Sequence, residues 1–179
     1  MNLVRDVSSG KNPPETVNVV VENPMGSNNK YEVDENGGYI KLDRVLHSAM
    51  YWPVEYGFIP QTRSGDGDSL DAMVIATRPT FPGCVVACRP IGAIDMEDDG
   101  GKDTKIICVP IEKLEPRLAE IKDINDVPLH VRKEIEHFLA DYKKLEPGKW
   151  TKIQGWLPKS KAFDLIRKDI EAFKKEQKK

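Results

Sequence analysis

Residues 30–42 read Lys30-Tyr31-Glu32-Val33-Asp34-Glu35-Asn36-Gly37-Gly38-Tyr39-Ile40-Lys41-Leu42. Two short stretches, 30–33 and 39–42, flank Glu35-Asn36-Gly37-Gly38, whose asparagine and glycines tolerate the left-handed backbone that tight hairpins require. The reading is therefore a β-hairpin. Working outward, Val/Ile-rich runs at 16–22, 72–77, 83–89 and 104–109 are broken by Gly, Pro, Asn and Asp and read as further strands. Many short strands at this spacing predict a small barrel or sandwich.

Beyond residue 110 the period changes. Val131, Ile135, Phe138, Leu139 and Tyr142 form the i, i+4, i+7, i+8, i+11 stripe of an amphipathic helix. Asn125 or Asp126 is expected to cap it, Pro128 suits its first turn, and Pro147-Gly148 is expected to end it. A second helix is expected after Ser160, carrying Phe163, Ile166, Ile170 and Phe173 and packing on the sheet, with Lys174, Lys175, Lys178 and Lys179 at its basic end. The expected class is α+β, mainly β, in a single domain spanning 1–179. A chain of 179 residues is long enough for one substantial core and too short for two ordinary domains.

Net charge narrows the partners. At −2 the chain has no global basic field for nucleic acid or an anionic membrane, so a polyanionic substrate would need local cations, bound metal, or both. No export signal or membrane span is legible: the longest apolar run near the N-terminus is Val19-Val20-Val21. Cys84, Cys88 and Cys108 lack zinc-type spacing. On one strand Cys84 and Cys88 would lie about 13 Å apart, too far for a disulfide. Free thiols, as in a reducing cytosol, are expected.

The chemistry concentrates in Asp66-Gly67-Asp68-Ser69-Leu70-Asp71. Three carboxylates in six residues repel and raise one another's pKa, so cations are the natural neutralisers. Carboxylate ligation favours hard ions such as magnesium, manganese or calcium. A solvated acidic turn is the plain alternative. An EF-hand is excluded, because Leu70 and Asp71 stand where its fifth ligand and its glycine belong. A second acidic run, Asp95-Met96-Glu97-Asp98-Asp99-Gly100-Gly101-Lys102-Asp103-Thr104-Lys105, reads in isolation as a loop between strands. It is no phosphate loop, since Met96 and Asp103 occupy the glycine and Ser/Thr places. His47, His130 and His137 show no ligand arrangement, and Trp52, Trp150 and Trp156 read as packing residues. Tyr142 lies on the helical stripe, so packing alone could account for it. These residues alone support a metal-dependent phosphoryl hydrolase, with a nucleic-acid-binding barrel and a calcium-binding structural protein as rivals.

Taken together, the pieces resemble the soluble family I inorganic pyrophosphatases. The resemblance runs from residue 19 to 156, through Val21-Glu22-Asn23-Pro24, Asn29-Lys30-Tyr31-Glu32-Val33-Asp34, Asp43-Arg44 and Trp52-Pro53-Val54-Glu55-Tyr56-Gly57-Phe58-Ile59. It continues through 66–71, 98–105, Ile121-Lys122-Asp123-Ile124-Asn125-Asp126, and Tyr142-Lys143 with Gly148-Lys149-Trp150. Eight pieces in one order are specific where one would not be. Ser69 departs from the family's usual Pro or Glu, and Trp52 from a tyrosine of many bacterial members.

The resemblance implies an OB-like five-stranded β-barrel with two main α-helices packed outside, and hydrolysis of pyrophosphate to two phosphates by a metal-bridging water. It implies Asp68 as general base and Asp66, Asp71, Asp98 and Asp103 as metal ligands. Glu22 and Glu32 would be outer-shell or additional metal residues. Lys30, Arg44, Tyr56, Lys105, Tyr142 and Lys143 would hold the phosphates. Mg²⁺ is the implied cofactor, with Mn²⁺ or other divalent ions as substitutes and Ca²⁺ inhibitory. A cytoplasmic homo-oligomer, commonly a homohexamer, is implied, without nucleic-acid or membrane partners.

Overall fold

The structure is a computed structural model and describes residues 1–177; Lys178 and Lys179, expected at the end of the last helix, lie outside the described residues. Five strands close on themselves: β1 (Val17–Asn23), β4 (Glu55–Ile59), β5 (Leu70–Val74), β8 (Lys105–Pro110) and β6 (Val85–Asp98). β6 returns to β1, pairing Val17 with Cys88 and Val20 with Val85. All contacts in the ring are antiparallel except β5–β8. The predicted hairpin forms a separate two-stranded sheet of β2 (Asn29–Val33) and β3 (Ile40–Val45), with Val33 opposite Ile40. Its turn is closed by Asp34 N donating to Tyr39 O, and Gly38 sits at φ +70 as the turn requires. The short β7 (Gly101–Lys102) and β9 (Thr151–Pro158) extend the far end of β6.

Ring strands bury both faces, which is why they read as nearly unbroken apolar runs. One set of side chains, including Val19, Ala72, Cys88 and Ile106, packs with Ala162 and Ile166 of α2 (Lys159–Glu176). The opposite set, including Met73, Ile94 and Ile107, packs with Ile135, Phe138 and Leu139 of α1 (Leu129–Asp141). Helices of this length are marginal alone. Burying Ile135 and Ile166 completely contributes about 1.5–3 kcal/mol each and ties both helices to the ring.

Several expectations are corrected. β6 runs through 95–98, so the start of the second acidic run is strand rather than loop. Pro90 and Gly92, just past the end expected for the strand at 83–89, are absorbed by a register shift against β8. β5 begins and ends earlier than 72–77, because its first residues pair with Ile59 and Phe58. α1 has no side-chain cap; Asp123 and Asp126 instead cap each other around the 3₁₀ turn Ile124–Asp126 just before it. α1 also ends at Asp141, well before Pro147-Gly148; Tyr142 closes its last turn by donating its N–H to Phe138 O, and Lys143 lies just beyond. α2 begins at Lys159, with Pro158 preceding it and no cap from Ser160. β4 and β9 carry no clear sequence signal and go unpredicted. The three cysteines are free, as expected.

Gly57 explains how β1 and β4 approach so closely. A Cβ at this position would lie 1.9 Å from the Val20 carbonyl oxygen, a backbone atom that cannot rotate away. Gly57→Ala is therefore expected to destabilise the fold by on the order of 3 kcal/mol, read as a fall in the denaturant midpoint. An unchanged midpoint would contradict this packing.

Candidate active site

The ring's loops, the hairpin and the residues after α1 converge on a cavity of about 380 Å³. β2 and β3 bring Lys30, Glu32 and Arg44, with Lys30 directly opposite Arg44. β4 brings Tyr56, and the turn between β4 and β5 brings Asp66 and Asp68. Asp71 comes from β5, Asp98 from the end of β6, and Asp103 and Lys105 from the entry to β8. Tyr142 and Lys143 follow α1. Every site residue expected from the sequence lines this cavity except Glu22. Glu22 lines an adjoining cavity of about 340 Å³, together with Lys30, Glu32, Tyr56, Asp68 and Asp71.

Lys105 anchors the centre. Its side chain is 2% exposed, and its Nζ donates to Asp71 Oδ2 and Asp103 Oδ1 at 2.7 Å each and to Tyr56 Oη at 3.1 Å. Tyr56 Oη in turn donates to Asp71 Oδ2 at 2.5 Å. Burial would lower the Lys105 pKa, but Asp71, Tyr56 and Asp103 outweigh it and hold the ammonium well above its usual range. Burial also raises Tyr56, keeping it a phenol donor. Asp98 is partly desolvated, yet the Lys143 ammonium at 2.5 Å holds its carboxyl below the usual range. Asp68 differs: burial, then Asp66, Glu35 and Asp71, push it up, and no hydrogen-bond donor among the described residues meets its carboxylate. Asp103 is raised by burial against the pull of Lys105.

Several residues at the site were not singled out from sequence. Asp43 and the buried Glu146 both hold Arg44, the latter at 3.0 Å from its Nε. Lys102 and Lys149 also line the cavity. Trp52 packs in the core as expected, but its neighbours matter: its ring centroid lies 4.7 Å from Tyr56 and 5.9 Å from Tyr142, while its indole N–H donates to Asn29 O at 3.0 Å. It fixes both tyrosines. Tyr142 accordingly does both jobs left open by its sequence position, stacking on Phe138 and lining the cavity. No histidine lines the cavity.

The donor set fits hard divalent cations. Among the described residues no three His, Cys, Asp or Glu side chains form a ready-made ligand cluster, because ammonium groups stand between the acids. Even so, eight carboxylates against six cations line the cavity, so it cannot attract a polyanion unaided. Asp68 and Asp103 are both raised, by burial first, with neighbouring carboxylates adding to it. Oxygen donors without His or Cys suit magnesium-like ions better than zinc.

Glu22 gives a pH signature. It is 9% exposed, and burial, opposed by a 2.7 Å hydrogen bond from Val33 N, raises its acid from 4.5 to about 8. Between those values the folded chain keeps a proton that the unfolded chain has released. Stability from this group therefore falls as pH rises through that window, at up to about 1.4 kcal/mol per unit. Glu22→Gln should raise the melting temperature of EDTA-treated protein at pH 9 and barely change it at pH 5. An equal shift at both would contradict the burial cost.

Comparisons with known proteins agree on one family. The inorganic pyrophosphatase family model matches residues 19–174. The inorganic pyrophosphatase of Aquifex pyrophilus is 50% identical over 171 residues, 96% of this chain and 97% of the relative. That of Sulfolobus acidocaldarius is 50% identical over 161 residues, covering 90% and 93%. The crystal structure of inorganic pyrophosphatase from Thermus thermophilus superposes with a TM-score of 0.94 at 46% identity, covering 97% of this chain and 99% of that one.

Proposed function

The chain belongs to the inorganic pyrophosphatase family, metal-dependent enzymes that hydrolyse pyrophosphate, and from that membership we propose how its own residues carry the reaction. The supporting observation is the cavity itself, where acids and cations interleave around one space yet leave negative charge in excess. Asp66, Asp71, Asp98 and Asp103 hold the divalent ions, with Glu32 and Glu22 behind them. Bound there, such ions lower the pKa of water and screen the charge of phosphate oxygens.

Asp68 accepts the proton of the attacking water. Its carboxylate is free of hydrogen-bond donors among the described residues, and a raised pKa brings it nearer the operating range of a general base. Lys30, Arg44 and Lys143 hold the phosphates, Arg44 through a fork prearranged by Asp43 and Glu146. Tyr142 and Tyr56 are the phenolic donors to phosphate, Tyr56 by turning the hydroxyl that here accepts from Lys105 and donates to Asp71, and Lys105 supplies fixed positive charge beside Asp71 and Asp103.

Mg²⁺ is the proposed metal, with Mn²⁺ or other divalent ions as substitutes; Ca²⁺, which prefers a larger and looser oxygen shell, would act as an inhibitor. Phosphate release from pyrophosphate, measured with each ion and against ATP, tests this. Mg²⁺ is expected to support fast release from pyrophosphate with little from ATP, and added Ca²⁺ to suppress it. Equal turnover of ATP, or full activity with Ca²⁺, would contradict the assignment.

A cytoplasmic location is proposed on the strength of the three free thiols. Among the described residues no helix is long and apolar enough to cross a membrane. A single-domain homohexamer is proposed from the family resemblance, supported by large apolar side chains left exposed, such as Leu42, Tyr51, Phe81 and Trp150. Sedimentation equilibrium tests it, and a monomer would overturn it.

A further inference from the structure

The turn bearing Asp66 and Asp68 has little packing of its own. A Cβ added at Gly65 or Gly67 would meet nothing within 4 Å, and Gly67 has φ +96. Internal bonds shape the turn: Ser64 N donates to Asp68 O, Gly67 N to Ser64 O, and Asp68 N to Asp66 Oδ1. They do not fix where it points. Like charges at Asp66, Asp68 and Asp71 push it to splay.

Arg63 immediately precedes this turn, with its side chain only 16% exposed. Its guanidinium joins three segments distant in sequence. Nη1 donates to both carboxylate oxygens of Glu35 in the hairpin turn, at 3.2 and 3.1 Å, and to the Gly67 carbonyl between Asp66 and Asp68. Nε donates to Glu176 Oε2 at the end of α2, at 2.8 Å. A second tether lies beside it: Arg63 N donates to Asp169 O, and Ser64 Oγ to the buried Asp169 carboxylate at 2.6 Å.

We propose that Arg63 is a positioning residue that clamps the Asp66-Gly67-Asp68 turn to the hairpin and to α2, setting the placement of the metal-holding and proton-accepting carboxylates. The clamp needs a planar fork with several donors, which Arg has and Lys lacks. Residues that orient ligands from behind typically change metal affinity or activity 10–100-fold when removed. This inference rests on the reading of the 66–71 segment given above.

The test is Mg²⁺ binding to the metal-stripped protein by titration calorimetry, together with the Mg²⁺ dependence of pyrophosphate hydrolysis, for full-length Arg63→Met, Arg63→Lys and Asp68→Asn, measured well below each melting temperature. Arg167→Met, which alters an exposed ion pair on α2, serves as control. Arg63→Met is expected to lower kcat and raise the half-saturating Mg²⁺ concentration, each by about tenfold or more. Arg63→Lys should recover only part of either, and Arg167→Met should match wild type. A lowered melting temperature with wild-type kcat and Mg²⁺ dependence would reduce Arg63 to a structural role and overturn the inference. Should Arg63→Met fail to fold, Glu176→Gln removes one anchor at the exposed helix end. A smaller shift in the same direction supports the clamp, and an unchanged Mg²⁺ curve overturns it. Full activity in Asp68→Asn would instead sink the reading of the turn itself, separating the two failures.

Discussion

Asp68→Asn is expected to lower pyrophosphate turnover by about 10²–10⁴-fold while leaving the protein folded, the usual contribution of a positioned base. That loss corresponds to roughly 3–5 kcal/mol of barrier. Asn is nearly isosteric and keeps an oxygen on the cavity, so substrate geometry survives while proton acceptance does not. Stability should move the other way. The folded-state pKa of Asp68 is raised by burial and by Asp66, Glu35 and Asp71, so its charge is a cost above the usual carboxylate pKa. The metal-free variant should therefore be at least as stable as wild type at pH 8. Single-turnover kinetics with a denaturant melt check both halves, and near-normal turnover would remove Asp68 from the proton transfer.

Lys105→Met is expected to have the largest effect on stability. Removing one partner of a buried ion pair leaves the other charge uncompensated, typically costing 3–5 kcal/mol. Here two carboxylates, Asp71 and Asp103, and the Tyr56 hydroxyl lose their partner together. Met fills much of the same volume, so the loss isolates charge from packing. The same two carboxylates are proposed metal ligands, which gives a diagnostic sign: millimolar Mg²⁺ should recover more stability in Lys105→Met than in wild type. Denaturant melts with EDTA and with Mg²⁺ measure this, and a variant as stable as wild type in EDTA would contradict the central role of Lys105.

The sequence disclosed the chemistry more fully than the architecture that aims it. Gly37 and Gly38 announced the hairpin because turn geometry is local. The stripe from Val131 to Tyr142 announced α1 because helix periodicity is local too. β4 escaped because Glu55-Tyr56-Gly57-Phe58-Ile59 is buried throughout and shows neither alternation nor an unbroken apolar run. Its Glu55 looks like a surface residue, yet it is fully buried and accepts hydrogen bonds from Thr80 N and Oγ1. β9 escaped because Lys152, Gln154 and Gly155 dilute its pattern, and pairing with β6 overrides weak propensity.

The site divides in the same way. Its carboxylates cluster in sequence, and the spacing of Asp66, Asp68 and Asp71 carries meaning before any fold is known. The residues that orient them act across long separations. Arg44 meets Glu146 at a separation of 102 residues, and Arg63 meets Glu176 at 113. Neither Glu146 nor Glu176 carries any local mark of its partner, so tertiary structure alone reveals those contacts.

The most direct measurement is phosphate release from pyrophosphate by EDTA-stripped protein as Mg²⁺ is added back. A cavity lined by eight carboxylates and six cations should bind and cleave the substrate only once divalent ions redress its charge. Release is therefore predicted to be negligible without Mg²⁺ and to rise saturably with it. Rapid release in the absence of any divalent ion would contradict the proposed division of labour between the carboxylates and the cations.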